Sequence, residues 1–83
     1  MVLTEDGLRT FLRDEVGVET AGLDVDAPLF SSGLIDSFSL VTLLAHIERV
    51  CGFRIGPTDV NLDNFDSLGR ILAYAGSMSG QER

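Results

Sequence analysis

The sequence predicts an all-α fold: a four-helix bundle with three main helices, one short helix and a long loop between helices 1 and 2. Three observations predict it. Apolar residues recur at helical spacing in three segments, no segment alternates apolar and polar residues as a half-buried strand does, and residues 18–36 show no sustained period. The chain has 83 residues, enough for one domain, and its 45% hydrophobic and 23% charged composition is that of a globular protein.

The first helix is predicted from Thr4 to Val16. Thr4 is a good N-cap, and the acids Glu5 and Asp6 suit the first turn because they lie at the positive end of the helix dipole. Gly17 is expected to end the helix. One face of the segment is apolar and contains Leu8, Phe11 and Leu12.

A long loop is predicted over residues 18–36, since Gly22, Pro28 and Gly33 interrupt any helix there. The loop also contains six apolar residues, Leu23, Val25, Leu29, Phe30, Leu34 and Ile35. We therefore expect the loop to be pinned to the core. Long ordered loops are uncommon in small domains, and they often carry function.

The strongest helix signal runs from Asp36 and Ser37 to about Cys51. At about 100° per residue, one arc of this helix is a core face formed by Leu40, Leu43, Leu44, Ile47, Val50 and Cys51. The opposite side, here named the outer face, is formed by Phe38, Val41, Thr42, Ala45 and Arg49. An apolar stripe that begins with an aromatic predicts a contact surface, unless Phe38 folds back under the long loop. Ser37 lies at the edge between the two faces, where its hydroxyl should reach solvent.

The last third of the chain predicts one short helix and one main helix. Residues 57–59 are predicted to open the short helix, because proline suits a first turn. Asp66 or Ser67 caps the last helix, which should reach about Tyr74. Residues 76–83 are rich in Gly and Ser and are predicted to form a flexible tail, so that the domain comprises residues 1–75.

Residues 28–38, with the sequence PLFSSGLIDSF, resemble the attachment segment of the acyl and peptidyl carrier proteins. In that family an Asp-Ser pair begins the second helix, as Asp36 and Ser37 do here. The resemblance continues through residues 47–49, 53–57 and 64–68, and it covers roughly residues 5–75. It implies the four-helix carrier-protein fold.

The resemblance implies that a phosphopantetheinyl transferase modifies Ser37, with Asp36 in a supporting role. The hydroxyl attacks the pyrophosphate of coenzyme A, and the 4'-phosphopantetheine cofactor then holds acyl or aminoacyl groups as thioesters. The position agrees, because a helix N-terminus favours both serine and a phosphate. Two simpler interpretations stay open: Ser37 is only a helix cap, and Asp36 is only a first-turn acid.

The resemblance also implies partners: the transferase, a loading enzyme (an adenylation or acyltransferase protein) and downstream biosynthetic enzymes, docking on the outer face. Phe38 replaces the usual Leu, and Ser39, Thr42 and Arg49 stand where fatty-acid carriers have acids. The sequence therefore favours a free-standing carrier of polyketide, nonribosomal peptide or other specialised biosynthesis. A D-alanyl carrier and a fatty-acid carrier are alternatives within the family, and a helical docking domain is the alternative outside it.

Charge and composition argue against other classes of function. The net charge is −7, from 13 acids and six basic residues, which disfavours nucleic acid and anionic membranes and attracts a basic patch on a partner protein. The chain has no apolar stretch of membrane-spanning length and no secretion signal, so we expect a cytoplasmic monomer. Its one Cys excludes an intramolecular disulfide.

No catalytic or metal site is predicted. His46 and Cys51 are five residues apart on one helix and therefore point about 140° apart. We expect Cys51 in the core and His46 on a solvent-exposed flank. The acids Asp59, Asp63 and Asp66 do not follow the order of a calcium-binding loop, and we expect the chain not to be an enzyme.

Overall fold

A computed structural model describes residues 3–79, and within that range the protein is helical with no β-strand. Its elements in chain order are α1 (Glu5–Phe11) with a π-helical last turn (Leu12–Val16), α2 (Ser37–Cys51), a 3₁₀ turn (Pro57–Asp59), α3 (Leu62–Phe65) and α4 (Leu68–Ser79). The predicted all-α bundle with a long first loop is confirmed. None of the described helices has the length and hydropathy needed to cross a membrane.

The first helix begins and ends where its sequence predicts. The Thr4 hydroxyl oxygen accepts a hydrogen bond from the backbone N–H of Gly7 at 3.0 Å, which makes Thr4 the N-cap. At the other end Gly17 adopts the left-handed conformation with φ 84°, which glycine reaches without a steric penalty.

The core lies where α1, α2, α4 and the long loop meet. Its fully buried side chains are Leu8, Leu12, Leu29, Leu43, Ile47, Phe65, Leu68 and Ile71. Burial of one such side chain stabilises a fold by about 1.5–3 kcal/mol. Leu29 and Ile35, both buried, come from the loop, and the N–H of Ile35 donates to the carbonyl of Leu29 at 2.9 Å. The loop is therefore pinned to the core as predicted.

A short helix opens at Pro57 as the sequence predicts, but it is a single 3₁₀ turn, and a separate α-helix follows it. Pro57 opens only a 3₁₀ turn, because Val60 leaves helical geometry at φ −84° and ψ 87°. The α-helix starts two residues later, at Leu62, where the side chain of Asn61 accepts from the N–H of Asn64 at 3.0 Å. The signal that marks this start is therefore an Asn N-cap.

The last helix is longer than predicted. It continues past Tyr74 to Ser79, so residues 76–79, which the sequence assigned to the tail, are helical. Met78 packs against the core and gives this extra turn apolar contact, while the Ser77 hydroxyl donates to the carbonyl of Tyr74 at 3.0 Å. The remainder of the predicted tail, residues 80–83, lies outside the described residues.

Candidate functional site

Ser37 is the first residue of α2, and its side chain is exposed. Its hydroxyl makes no hydrogen bond to any residue in the range 3–79. The N-cap is the preceding residue, Asp36, whose backbone is extended at φ −91° and ψ 173° and whose Oδ1 accepts from the N–H of Ser39 at 2.8 Å. The capping role that the sequence left open for Ser37 therefore belongs to Asp36, and the serine hydroxyl is free to react.

The carboxylate of Asp36 is held in its charged form. The hydrogen bond from the backbone N–H of Ser39 lowers the pKa of Asp36 below its usual value. Because Asp36 is also exposed, an ionised carboxylate lies next to the Ser37 hydroxyl on the open surface of the protein.

The loop that leads to Ser37 is fastened by Asp66, which follows α3. Oδ1 of Asp66 accepts from the backbone N–H groups of Phe30 at 2.7 Å and Ser31 at 2.9 Å, and Oδ2 accepts from the Ser31 hydroxyl at 2.7 Å. The backbone carbonyl of Asp66 accepts from the N–H of Leu29 at 2.7 Å. Hydrogen bonds from the Ser31 hydroxyl and then from the Ser31 N–H lower the pKa of the Asp66 carboxyl.

This anchoring role of Asp66 was not predicted from the sequence, which offered Asp66 or Ser67 as the cap of the last helix. The cap is Ser67, whose hydroxyl oxygen accepts from the N–H of Arg70 at 3.1 Å. Asp66 instead turns towards a loop 35 residues earlier in the chain. No local pattern marks it, since an acid next to a helix start resembles a cap whichever way its side chain turns.

Between this anchor and Ser37 the chain makes one tight turn. Gly33 has φ 83°, in the left-handed region, and its N–H donates to the carbonyl of Phe30 at 3.1 Å. Ile35 then returns to the core, with 2% of its surface exposed. The residue two positions before Ser37 is thus buried, while Ser37 itself is exposed.

The outer face of α2 is exposed along its length. Phe38 is 84% exposed and Val41 is 66% exposed, and Thr42, Ala45 and Arg49 are exposed as well. The alternative in which Phe38 folds back under the loop is therefore wrong. An exposed aromatic and an exposed Val on adjacent turns form an apolar surface beside Ser37, of the kind that marks contact sites.

Ser37 and Asp36 also lie at the rim of an open groove of about 430 Å³ between the loop, α2 and α3. Its apolar lining is formed by Phe30, Ile35, Leu40, Val60, Leu62 and Phe65. Leu62 is 50% exposed, so the α3 side of this groove is open to solvent.

The sequence predicted His46 on a solvent-exposed flank, but the structure shows it half-buried. Its ring stacks on Phe11 of α1, with centroids 4.0 Å apart and planes 11° apart, because α1 packs across this side of α2. Burial, and then the charge of Arg49, lower the pKa of His46, while burial raises the pKa of the half-buried Cys51 thiol. Within residues 3–79 no three His, Cys, Asp or Glu side chains are grouped to hold a metal ion.

Residues 6–75 match the family model described as the phosphopantetheine attachment site. The chain belongs to this family. It is 33% identical over 70 residues to a D-alanyl carrier protein of Abiotrophia defectiva, covering 84% of this chain and 89% of that protein. It also resembles a chain in a crystal structure described as that of an FAD-dependent dehydrogenase, with a TM-score of 0.71 and 30% identity, covering 82% of this chain and 97% of that chain.

Three sequence predictions are thereby confirmed: the carrier family, the helical carrier fold and the 4'-phosphopantetheine cofactor. As a phosphopantetheine carrier protein, the chain interacts with a phosphopantetheinyl transferase and with enzymes that act on the tethered group. The start of α2 fits a covalent phosphodiester at Ser37. The Ser37 hydroxyl is exposed, has no hydrogen-bond partner among the described residues and lies at the positive end of a 15-residue helix.

Proposed function

We propose that this carrier protein is modified on Ser37, holds aminoacyl groups as thioesters, and presents them to partner enzymes without performing chemistry itself. The observation that carries the proposal is the Ser37 hydroxyl, which is exposed and free because Asp36 caps the helix in its place. When bound, the arm supplies a flexible thiol that carries the group from one enzyme to the next.

In the attachment step the Ser37 oxygen forms a bond to the phosphorus that bears the pantetheine of coenzyme A. The pyrophosphate bond breaks, adenosine 3',5'-bisphosphate leaves with the electron pair, and the hydroxyl proton passes to the transferase. The positive end of α2 favours the phosphate that is then fixed there. The ionised carboxylate of Asp36 assists by attracting a cationic group or metal ion of the transferase.

Two observations support an aminoacyl rather than a fatty-acyl cargo. The relative from Abiotrophia defectiva is a D-alanyl carrier protein. In addition, α2 contains a single acid, Glu48, whose Oε2 accepts from the N–H of Ile55 at 2.7 Å, so the outer face lacks the row of acids expected of fatty-acid carriers. We place the protein in polyketide, nonribosomal peptide or other specialised biosynthesis in the cytoplasm, with the outer face of α2 as the partner surface.

Intact-mass measurement tests the attachment. Purified protein incubated with coenzyme A, Mg²⁺ and a broad-specificity phosphopantetheinyl transferase is expected to gain the mass of one phosphopantetheine. Ser37→Ala is expected to gain nothing, whereas Ser39→Ala, a serine on the same turn, is expected to gain as the wild type does. A wild-type protein that gains no mass would contradict the proposed attachment and would favour the alternative of a helical docking domain.

The cargo is tested on the modified protein. Incubation with ATP, a mixture of amino acids and candidate adenylation proteins is expected to add the mass of one amino acid to the arm, in a bond that hydroxylamine cleaves. Loading by an acyltransferase with a fatty-acyl group, and with no amino acid, would contradict the aminoacyl proposal while leaving the carrier function intact.

The structural match gives a candidate for the downstream enzyme. Because the matched chain comes from a structure described as that of an FAD-dependent dehydrogenase, we propose a flavin-dependent dehydrogenase as one partner class. Such an enzyme removes two hydrogens from the tethered group and reduces its flavin. Mass spectrometry of the loaded arm before and after exposure to a candidate flavoprotein tests this, and an unchanged arm mass across the candidates would argue against it.

A further inference from the structure

Two arginines without an ion-pair partner among residues 3–79 lie at the far end of α2: Arg49 in its last turn and Arg54 just after it. The described residues contain five arginines, and three of them form ion pairs: Arg9 with Glu5 at 2.9 Å, Arg13 with Asp14 at 3.0 Å and Arg70 with Asp63 at 4.0 Å. Arg49 and Arg54 are exposed and pair with no carboxylate in the described part of the chain.

These two arginines line one open groove of about 410 Å³, together with Ala45 of the outer face. The same groove contains Glu48, but its carboxylate is half-buried and accepts from the N–H of Ile55 at 2.7 Å. Glu48 is also the only acid in the chain between residues 37 and 55. The groove lined by Arg49 and Arg54 therefore contains two cations and one half-buried acid, although the whole chain has a net charge of −7. Asp14, which pairs with Arg13, and Glu15 line a separate groove with Arg49.

The arginines stand at a defined distance from Ser37. At 1.5 Å of rise per residue, Arg49 is about 18 Å from Ser37 along the axis of α2. Phe38 and Val41 lie between them, 84% and 66% exposed. The outer face is thus apolar near Ser37 and positively charged at its other end.

We propose that the enzymes acting on this carrier dock along α2 with an apolar recess over Phe38 and Val41 and with carboxylates that pair with Arg49 and Arg54. This rests on the proposed function, since it assumes that partners approach Ser37. Charge complementarity gives the contact its orientation, because only one alignment places the partner's acids on the arginines. The partner's acidic patch is local, and the −7 charge of the carrier repels acids placed elsewhere on it.

A second copy of this chain is a poorer occupant than an enzyme. Two copies with a net charge of −7 repel each other, and a copy seated on the outer face would cover Ser37. Arg49 lies in the last turn of α2, where a cation stabilises the negative end of the helix dipole. This purely structural explanation does not account for Arg54. Arg54 follows Gly52, the C-cap of α2, and is therefore outside the helix.

A probe that needs no knowledge of the partner tests the charge of the contact. The full chain labelled with ¹⁵N is titrated at low salt with a peptide of six glutamates and, separately, of six lysines. We expect the glutamate peptide to shift the amide signals of residues 49–54 and the lysine peptide to leave them unshifted. Shifts confined to other parts of the chain, or equal shifts with both peptides, would contradict the proposal.

The functional test uses the adenylation protein found by the loading experiment. We expect the double variant Arg49→Glu with Arg54→Glu to lower kcat/KM for loading about tenfold. Arg13→Glu, which makes half this change of net charge outside the groove of Arg49 and Arg54, is the control. Arg49→Gln with Arg54→Gln is expected to show a smaller loss with an unchanged melting temperature. Loading of the double variant at the wild-type rate, or an equal loss in Arg13→Glu, would overturn the proposal.

The same samples separate a failure of this docking surface from a failure of the carrier function. If the wild-type protein gains no phosphopantetheine, the proposed carrier function is contradicted. If the wild-type protein is modified and loaded, and the variants load equally well, only the proposed docking surface is contradicted. Light scattering that shows a wild-type dimer, dissociated by the double variant, would identify a second copy as the occupant and would also overturn it.

Discussion

The carboxylate of Asp66 accepts a hydrogen bond of 2.7 Å from the hydroxyl of Ser31, a residue 35 positions earlier in the chain. The same carboxylate accepts from the backbone N–H groups of Phe30 and Ser31. One side chain between α3 and α4 thereby holds the loop that leads to Ser37. The orientation of the candidate attachment residue depends on this contact as well as on its own helix.

We expect Asp66→Ala to destabilise the fold more than Ser31→Ala does. The first change leaves two backbone N–H groups without their acceptor, whereas the second removes only the hydroxyl. Urea unfolding measures stability, and amide hydrogen exchange at residues 30 and 31 measures release of the loop. Asp63→Ala, whose side chain is 98% exposed, is the control. Equal unfolding midpoints for Asp66→Ala and Asp63→Ala would contradict the anchoring role.

The single tyrosine gives an optical test of the packing of α4. Tyr74 donates to Oδ2 of Asp59 at 2.8 Å, and burial, followed by this hydrogen bond, raises its pKa to about 12. The pKa of Tyr74 is higher in the folded protein than its unfolded value of 10.0. The contribution of the protonated Tyr74 hydroxyl to the free energy of unfolding is therefore present below pH 10 and is lost as the pH rises through about 12.

The chain has one Tyr and no Trp, so ultraviolet absorbance reports tyrosinate formation at this residue alone. We expect a midpoint near 12 in the native protein and near 10 in concentrated urea, and an intermediate midpoint in Asp59→Asn. A native midpoint equal to the midpoint in urea would show that the hydroxyl is not held by Asp59.

The stack of His46 on Phe11 predicts a loss of stability in weak acid. Burial and Arg49 lower the pKa of His46 in the folded protein, while the charge of Glu15 opposes them. The neutral imidazole is therefore favoured by folding. Neutral His46 therefore adds to the free energy of unfolding above pH 6.5, its unfolded pKa. This contribution is lost as the pH falls from 6.5 through the lower pKa of His46 in the folded protein.

The comparison variant is His46→Phe, which keeps a stacked ring but cannot take up a proton. We expect its free energy of unfolding to fall less than that of the wild type between pH 7 and pH 5, as measured by urea titration at each pH. If the free energy of unfolding changes with pH equally in the two proteins, His46 has the same pKa in the folded and unfolded states, which would contradict this prediction.

Variants of the exposed outer face are expected to weaken partner docking without lowering the stability of the fold. We expect Phe38→Ala and Val41→Asp to leave the melting temperature nearly unchanged, since both side chains are mostly in water. The same changes should weaken loading by partner enzymes. Leu43→Ala, at a fully buried position of the same helix, should cost about 2–5 kcal/mol of stability. A drop for Phe38→Ala as large as that for Leu43→Ala would show that Phe38 belongs to the core.

Much of the local structure could be predicted because its signals act within one or two turns of chain. Thr4 and Gly17 mark the ends of the first helix by their own side chain and backbone preferences. The helical period of α2 separates Leu43 and Ile47 from Phe38 and Val41, and burial follows that division. The helical turn that opens at Pro57 was predicted, but the separate helix α3 was not, because the break at Val60 and the new start at Asn61 have no strong local signal.

Local sequence signals are enough to predict a helical carrier with Ser37 at the start of α2 and an apolar outer face beside it. The sequence does not indicate that Asp66 turns to Ser31, that His46 stacks on Phe11 or that Arg49 and Arg54 form no ion pair among the described residues, and these contacts follow from the tertiary packing. The physical reason is range: caps and helix faces depend on residues three or four positions apart, whereas these pairings depend on how distant segments pack against each other.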